Sequence, residues 1–225
     1  MVGRTRSGKS TAVGVLKDPC YEPKPMSIFS DTVDPKFYSF ALDDKLKSTK
    51  YTVNVIDTPG LKEVTAIGQN ARSDEVIINT INYCLKNEIT KINNLLIFVS
   101  FELGVTADDL DSFKSFLERF SHDDIQIIIV VTRAEDKTDT WKENIQSQLK
   151  SHHYFATILT KPNFKVRFLG CVDAAQNGVV SDIKDLQRLY ARVYKMREEL
   201  LQVVFDSEKQ VKLVDLPIAS SANLS

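Results

Sequence analysis

The chain has 225 residues, 43% hydrophobic and 26% charged, with a formal net charge of -1. That balance suits one globular domain with a sizeable core. It argues against nucleic acid as the main partner, which needs a basic surplus, and no apolar run approaches the ~20 residues that span a bilayer.

Cys20, Cys84 and Cys171 are too few and too scattered for a disulfide framework or a zinc site. They read as reduced thiols of a cytoplasmic protein. Met1 leads straight into a polar loop, with no signal peptide in view. Only Met1 and Val2 precede the motif that starts at Gly3. A buried strand normally feeds such a loop, so the expectation is a first strand cut short at an internal methionine.

Residues 8–17 read as a helix opening at Gly-Lys-Ser. Residues 18–35 carry four prolines among Ser, Thr and Asp, which favours a loop. Residues 37–42 and 51–57 read as strands of an antiparallel hairpin. An irregular loop from Leu61 to Ala71 precedes helical spacing at Val76, Ile77, Ile81, Cys84 and Leu85. The apolar runs 94–100 and 125–131 suit strands buried on both faces. Between them Thr106 caps a helix, with Asp109 placed three residues later as in a capping box. Trp141, Ile145 and Leu149 mark another helix, 164–171 another strand, and 181–206 a long last helix. The expected division is one domain over 1–206 and a frayed tail over 207–225. Alternating strands and helices imply a three-layer α/β domain, mostly parallel with one antiparallel edge strand. Ligands in such sheets sit at the carboxyl ends of the strands.

Gly3-Arg4-Thr5-Arg6-Ser7-Gly8-Lys9-Ser10 fits G-x-x-x-x-G-K-[ST]. Its two glycines free the backbone to turn successive N–H groups inward. Those amides and the positive end of the next helix hold phosphate oxygens. Lys9 brings a compact cation to the β- and γ-phosphates, and Ser10 offers its hydroxyl to Mg²⁺. Arg4, Thr5, Arg6, Ser7 and Thr11 complete the candidate cradle.

Asp57-Thr58-Pro59-Gly60 ends the strand 51–57. Asp57 there can hold a magnesium-bound water, and the Gly60 amide can bond a γ-phosphate. Thr32, with Ser30 as competitor, is the candidate mobile threonine that joins Mg²⁺ when a triphosphate is bound. Lys9, Thr32 and Gly60 are thus the candidate catalytic groups. Thr132-Arg133-Ala134-Glu135-Asp136 follows the strand 125–131. Many GTPases carry N-K-x-D there, its aspartate accepting from guanine N1 and N2. Asp136 stands in register for that role, with Arg133 in the asparagine position and Ala134 in the lysine position. The expected ligands are therefore GTP or GDP with Mg²⁺.

These motifs give the chain a resemblance to the AIG-type, or immunity-associated (GIMAP), GTPases, relatives of septins and chloroplast import-receptor GTPases. Gly3–Thr11, Asp57–Leu61, Thr132–Asp136 and the box Leu103-Gly104-Val105-Thr106-Ala107-Asp108-Asp109 carry it. The resemblance implies a P-loop G domain with magnesium-dependent GTP/GDP binding. It also implies a homodimer or oligomer formed through the nucleotide face, and membrane association not encoded in this chain. The base-side loop after the sixth strand is similar to Cys171–Asn177, which makes Asn177 a candidate contact. Leu61 stands where small GTPases place a water-orienting glutamine, so hydrolysis is expected to be slow. Two rivals remain: a degenerate interaction module without nucleotide, and an ATP-using P-loop enzyme.

Overall fold

The computed structural model describes residues 1–23, 35–44, 47–61, 79, 91–120, 125–159, 161–173, 183–207 and 211–212. The expected helix at 76–85, and the candidates Ser30, Thr32 and Asn177, lie outside the described residues.

The described elements, in chain order, are β1 (Val2–Gly3), α1 (Lys9–Lys17), β2 (Lys36–Asp44), β3 (Thr49–Asp57), β4 (Lys91–Ile92) and β5 (Asn94–Ser100). Then come α2 (Ala107–Phe120), β6 (Gln126–Thr132), α3 (Asp139–Ser151), α4 (His153–Leu159), β7 (Phe164–Leu169), α5 (Ile183–Phe205) and β8 (Val211–Lys212).

The sheet that positions the site is parallel, in the order β1-β5-β6-β7. Its register runs Ser100↔Thr132 and Thr132↔Leu169, so these strands end along one edge. β1 joins the same sheet through Val2↔Ile97 and Gly3↔Phe98. β5 and β6 are apolar along their length because helices cover both faces, and residues 95–100 and 127–132 are all buried. β2 and β3 form an antiparallel hairpin from Lys36↔Asp57 to Asp44↔Thr49. Their described ladder is with each other alone, and the end of β3 meets β1 where the Met1 nitrogen donates to Ile56 O at 2.9 Å. The tail pairs once more at β8, antiparallel to β4. No described helix is long and apolar enough to cross a membrane.

Two local features set the helices. Asp109 accepts from the Thr106 nitrogen at 2.9 Å, and the Asp109 nitrogen donates back to Thr106 Oγ1 at 3.3 Å. That reciprocal pair opens α2, as the sequence spacing predicts. Thr138 caps α3 by accepting from the Trp141 nitrogen at 3.2 Å.

A cation closes the other end of the phosphate-loop helix. Arg197 of α5 is 8% exposed. Its Nε donates to Val15 O at 3.0 Å, and its Nη2 to Leu16 O at 2.7 Å. These are last-turn carbonyls of α1, which have no intrahelical partner. Replacing Arg197 by alanine strands them in a buried place and should cost about 2–3 kcal/mol. A thermal melt should show Tm lowered by roughly 5–10 °C, and an unchanged melt would refute this role.

Candidate functional site

The loop between β1 and α1 is a tight turn. Ser7 N donates to Arg4 O at 3.1 Å, and Arg6 takes the left-handed backbone at φ 66°. Gly8 follows at φ 87° and is the first cap of α1, its carbonyl accepting from the Ala12 nitrogen at 2.9 Å. No side chain caps this helix end. Its leading N–H groups face the loop, where an anion satisfies both donors and dipole.

Lys9 is buried. Its Nζ donates to Gly3 O at 2.9 Å and Arg4 O at 3.1 Å. Two of an ammonium's three donors therefore fix the cation across the loop.

The Asp57-Thr58-Pro59-Gly60 turn lies directly on this loop. Leu61 N donates to Gly3 O at 3.0 Å, and Arg4 and Leu61 form a parallel bridge. A Cβ on Gly60 would sit 2.6 Å from the Thr5 nitrogen, so only glycine allows this approach. Ser10 Oγ donates to Asp57 Oδ2 at 2.6 Å. Asp57 is fully buried, and its Oδ1 has no partner. Thr5 Oγ1 and Ser7 Oγ, in the loop itself, are likewise buried without partners. Buried polar atoms are rarely left so. This cluster has the donors and acceptors that a hydrated, phosphate-bound cation requires. Ser10 and Asp57 are the described residues that would hold Mg²⁺, a hard ion that takes oxygen ligands. Thr11 and Arg6 flank the cradle.

The segment after β6 is stitched to the loop. Thr132 Oγ1 donates to Ser7 O at 2.9 Å inside the protein. A cavity of about 100 Å³ opens beside this contact, lined by Gly8, Thr11, Thr132, Arg133, Glu135 and Cys171 among others. Arg133 adopts φ 60° and pairs through Nη1 with Glu102 at 3.0 Å.

Glu135 Oε2 is buried and has no partner. Burial pushes the Glu135 carboxyl up from its ordinary value. Its own backbone N–H opposes that shift, and the Asp136 charge adds to it. Asp136 is placed differently. Its carboxylate pairs with Lys137 Nζ at 2.9 Å with a side chain 61% exposed, and it is not among the residues lining the cavity. Sequence spacing singled out Asp136 and passed over Glu135 and Thr132. The Thr132–Ser7 contact joins residues 125 positions apart, and no local pattern displays it.

Arg4 also has a partner away from the loop. Its Nη1 lies 3.6 Å from Asp109 Oδ2, the carboxylate that caps α2. The box after β5 is thereby tied to the phosphate loop. The cradle thus brings together Gly3, Arg4, Thr5, Arg6, Ser7, Gly8, Lys9, Ser10, Thr11, Asp57 and Gly60. Arg133 faces the adjoining cavity.

The chain matches the model of the AIG1 family over residues 1–213. It belongs to the AIG1 family. This is a G-domain family. No curated protein matches this AIG1-family chain in sequence. Among solved structures it is similar to translation elongation factor SelB from Methanococcus maripaludis in complex with the GTP analogue GppNHp. That likeness has 16% identity and a TM-score of 0.48, over 92% of this chain and 33% of the other. The AIG1-family chain thus spans about a third of that protein.

Among the described residues of this AIG1-family domain, no group of three or more His, Cys, Asp or Glu side chains forms a metal cage. Cys171 lines the cavity, but its chemistry is suppressed. Burial, with Glu135 and Asp173 nearby, pushes its thiol up to about 12. The thiolate is the nucleophile, so Cys171 should resist iodoacetamide at pH 8 while exposed Cys20 reacts. Peptide mass spectrometry across a pH series checks this. Comparable labelling of both at pH 8 would refute the raised pKa of Cys171.

Proposed function

We propose that this chain binds GDP and GTP with magnesium. It acts as a nucleotide-dependent switch or scaffold whose intrinsic hydrolysis is slow. One observation carries the reading: the phosphate cradle and an unpartnered buried carboxyl open onto the same cavity. Family membership supports guanine-nucleotide binding.

In this reading the amides of the Gly3–Gly8 turn and the Lys9 ammonium bind phosphates. Magnesium bound there would supply positive charge against the phosphates. Ser10 and Asp57 would hold that ion. The Gly60 amide takes the γ-phosphate, and Thr32 and Asn177 are retained as further contacts.

Guanine is read by Glu135 rather than by Asp136. A carboxylate aimed into the cavity accepts from guanine N1–H and N2–H, whereas adenine offers an acceptor at N1 and leaves it unpaired. In this register Thr132 takes the asparagine position and Arg133 the lysine position. The Arg133 stem then lies along the base, and Ala134, which is fully buried, contacts no nucleotide. In the other register Ala134 would take the lysine position, with a methyl too short to lie along the base.

Fluorescent titration with GDP, GTP and ATP, with and without magnesium, tests the assignment. Glu135→Gln should weaken GDP about 10- to 100-fold, the worth of one or two lost bonds to a charged group. Asp136→Asn should cost less than about threefold. The carboxylate form binds guanine, and burial raises its pKa. Wild-type affinity should therefore fall as pH drops, starting above the ordinary carboxylate range, and Glu135→Gln should lose that dependence. The opposite ranking of the two variants would return the role to Asp136. No response to either guanine nucleotide would favour an interaction module that uses the fold without ligand.

Slow hydrolysis rests on Leu61. It is 1% exposed and bridged to Arg4, so it presents no group to orient water. Phe101, Leu103 and Val105 are exposed on the segment joined to the loop through Asp109 and Arg4. They support association through the nucleotide face, in a cytoplasmic setting. Single-turnover assays at rising protein concentration should show slow, concentration-dependent hydrolysis. Fast turnover by dilute monomer would sink this part.

A further inference from the structure

A small cavity lies where the phosphate loop, the end of β5 and the start of α2 meet. It measures about 10 Å³, and Arg4, Ser7, Ser100 and Asp109 supply its polar lining. Two of these residues carry hydroxyls that nothing claims. Ser7 is 1% exposed and Ser100 2%, and the Oγ of each is buried without a partner. Buried polar atoms are rarely left so.

The two hydroxyls lie on the same side of the loop. A Cβ on Gly3 would meet Ser7 Oγ at 2.8 Å and Phe98 Cβ at 3.0 Å. The Ser7 hydroxyl therefore sits on the face of the loop that looks at Phe98 of β5. Ser100 is two residues beyond Phe98 on the same strand, so its side chain leaves by the same face. Thr5 Oγ1 and Asp57 Oδ1 stay with the Asp57–Ser10 cluster, and Ser7 Oγ turns away from it.

The backbones of both serines are already held. Ser7 O accepts from Thr132 Oγ1 at 2.9 Å, and Ser100 O accepts from the Gly104 nitrogen at 3.1 Å. The hydroxyls are thus free to rotate and little else. Neither reaches the other.

Size and charge select what fits between them. A cavity of this volume takes about one water and nothing larger. Arg4 Nη1 lies 3.6 Å from Asp109 Oδ2, so the carboxylate in the wall already has its cation. A water donates two hydrogen bonds and accepts two, which serves both hydroxyls and leaves a bond for Asp109. An apolar occupant would leave both hydroxyls unpaired.

We propose that this cavity is a binding site for a single water that bridges Ser7 Oγ to Ser100 Oγ. The bridge ties the phosphate loop to the end of β5, beside the Arg4–Asp109 pair. It carries no net charge, so salt that screens the ion pair leaves it intact. The inference goes beyond the nucleotide reading and does not depend on it.

The test uses the 225-residue chain without nucleotide. Ser7→Ala and Ser100→Ala are made singly and together. With a bridging water, each single variant strands the remaining hydroxyl, and Tm should fall by about 2–4 °C. The double variant should fall no further than the worse single one, since both changes break one bridge. Without a water, each alanine only removes an orphan hydroxyl. Tm would then stay or rise, which overturns the proposal, as does full additivity of the two losses. A high-resolution crystal structure should show one ordered peak within hydrogen-bond distance of both Oγ atoms, absent from the double variant. It decides the matter even if a variant fails to fold. No peak, or hydroxyls bonded directly to each other, overturns the proposal. So does a wild-type Tm that differs among lithium, sodium and potassium chloride while the double variant's does not, because the site would then hold a cation. No readout uses nucleotide, so failure here is separable from failure of the proposed function.

Discussion

The phosphate loop depends on carbonyl oxygens being claimed from outside. Gly3 O takes the Lys9 ammonium and the Leu61 amide, Arg4 O also takes Lys9, and Ser7 O takes the Thr132 hydroxyl. Each bond turns a C=O away from the centre of the turn. The N–H groups then converge, since a peptide plane that points its oxygen one way points its hydrogen the other. Anion binding is thus prepared by where the acceptors are tied. The ties come from three separate parts of the chain, and only the parallel sheet brings those parts to one edge.

The architecture was legible because it rests on local periodicity. The runs 94–100 and 125–131 are apolar without alternation, and they became β5 and β6 within one residue of their expected bounds. The last helix, expected over 181–206, spans Ile183–Phe205. α4 was not anticipated, as seven residues are too few to show a helical stripe. In the site, glycines and the Gly-Lys-Ser sequence announce backbone geometry, so the cradle was readable. Side-chain direction was not. Glu135 and Asp136 are adjacent acids, and their separation into a buried and an exposed carboxylate depends on Gly170, whose place a Cβ would deny to Glu135. That is a contact between the ends of β6 and β7, and sequence spacing has no access to it.

The box after β5 gains a physical role from the same geometry. Asp109 serves at once as the capping acid of α2 and as the partner of Arg4. Asp109 is 5% exposed, so the pair is screened less than a surface ion pair would be. The exposed apolar residues Phe101, Leu103 and Val105 lie on the short segment between that cap and β5. Phe101 in turn stacks edge-on against Trp141 of α3, with centroids 4.6 Å apart. One charge contact and one cap thus link the turn at Arg4 to this segment.

The grip of Arg197 on the last carbonyls of α1 has a mechanical consequence. The helix is anchored at its start by the Gly8 turn and at its finish by a guanidinium rooted in α5. Ties at both ends oppose sliding along the helix axis. The described contacts that leave the loop sideways run through Leu61 to the β3 turn and through Asp109 to the segment after β5. The long terminal helix thus serves as a strut behind the phosphate-loop helix.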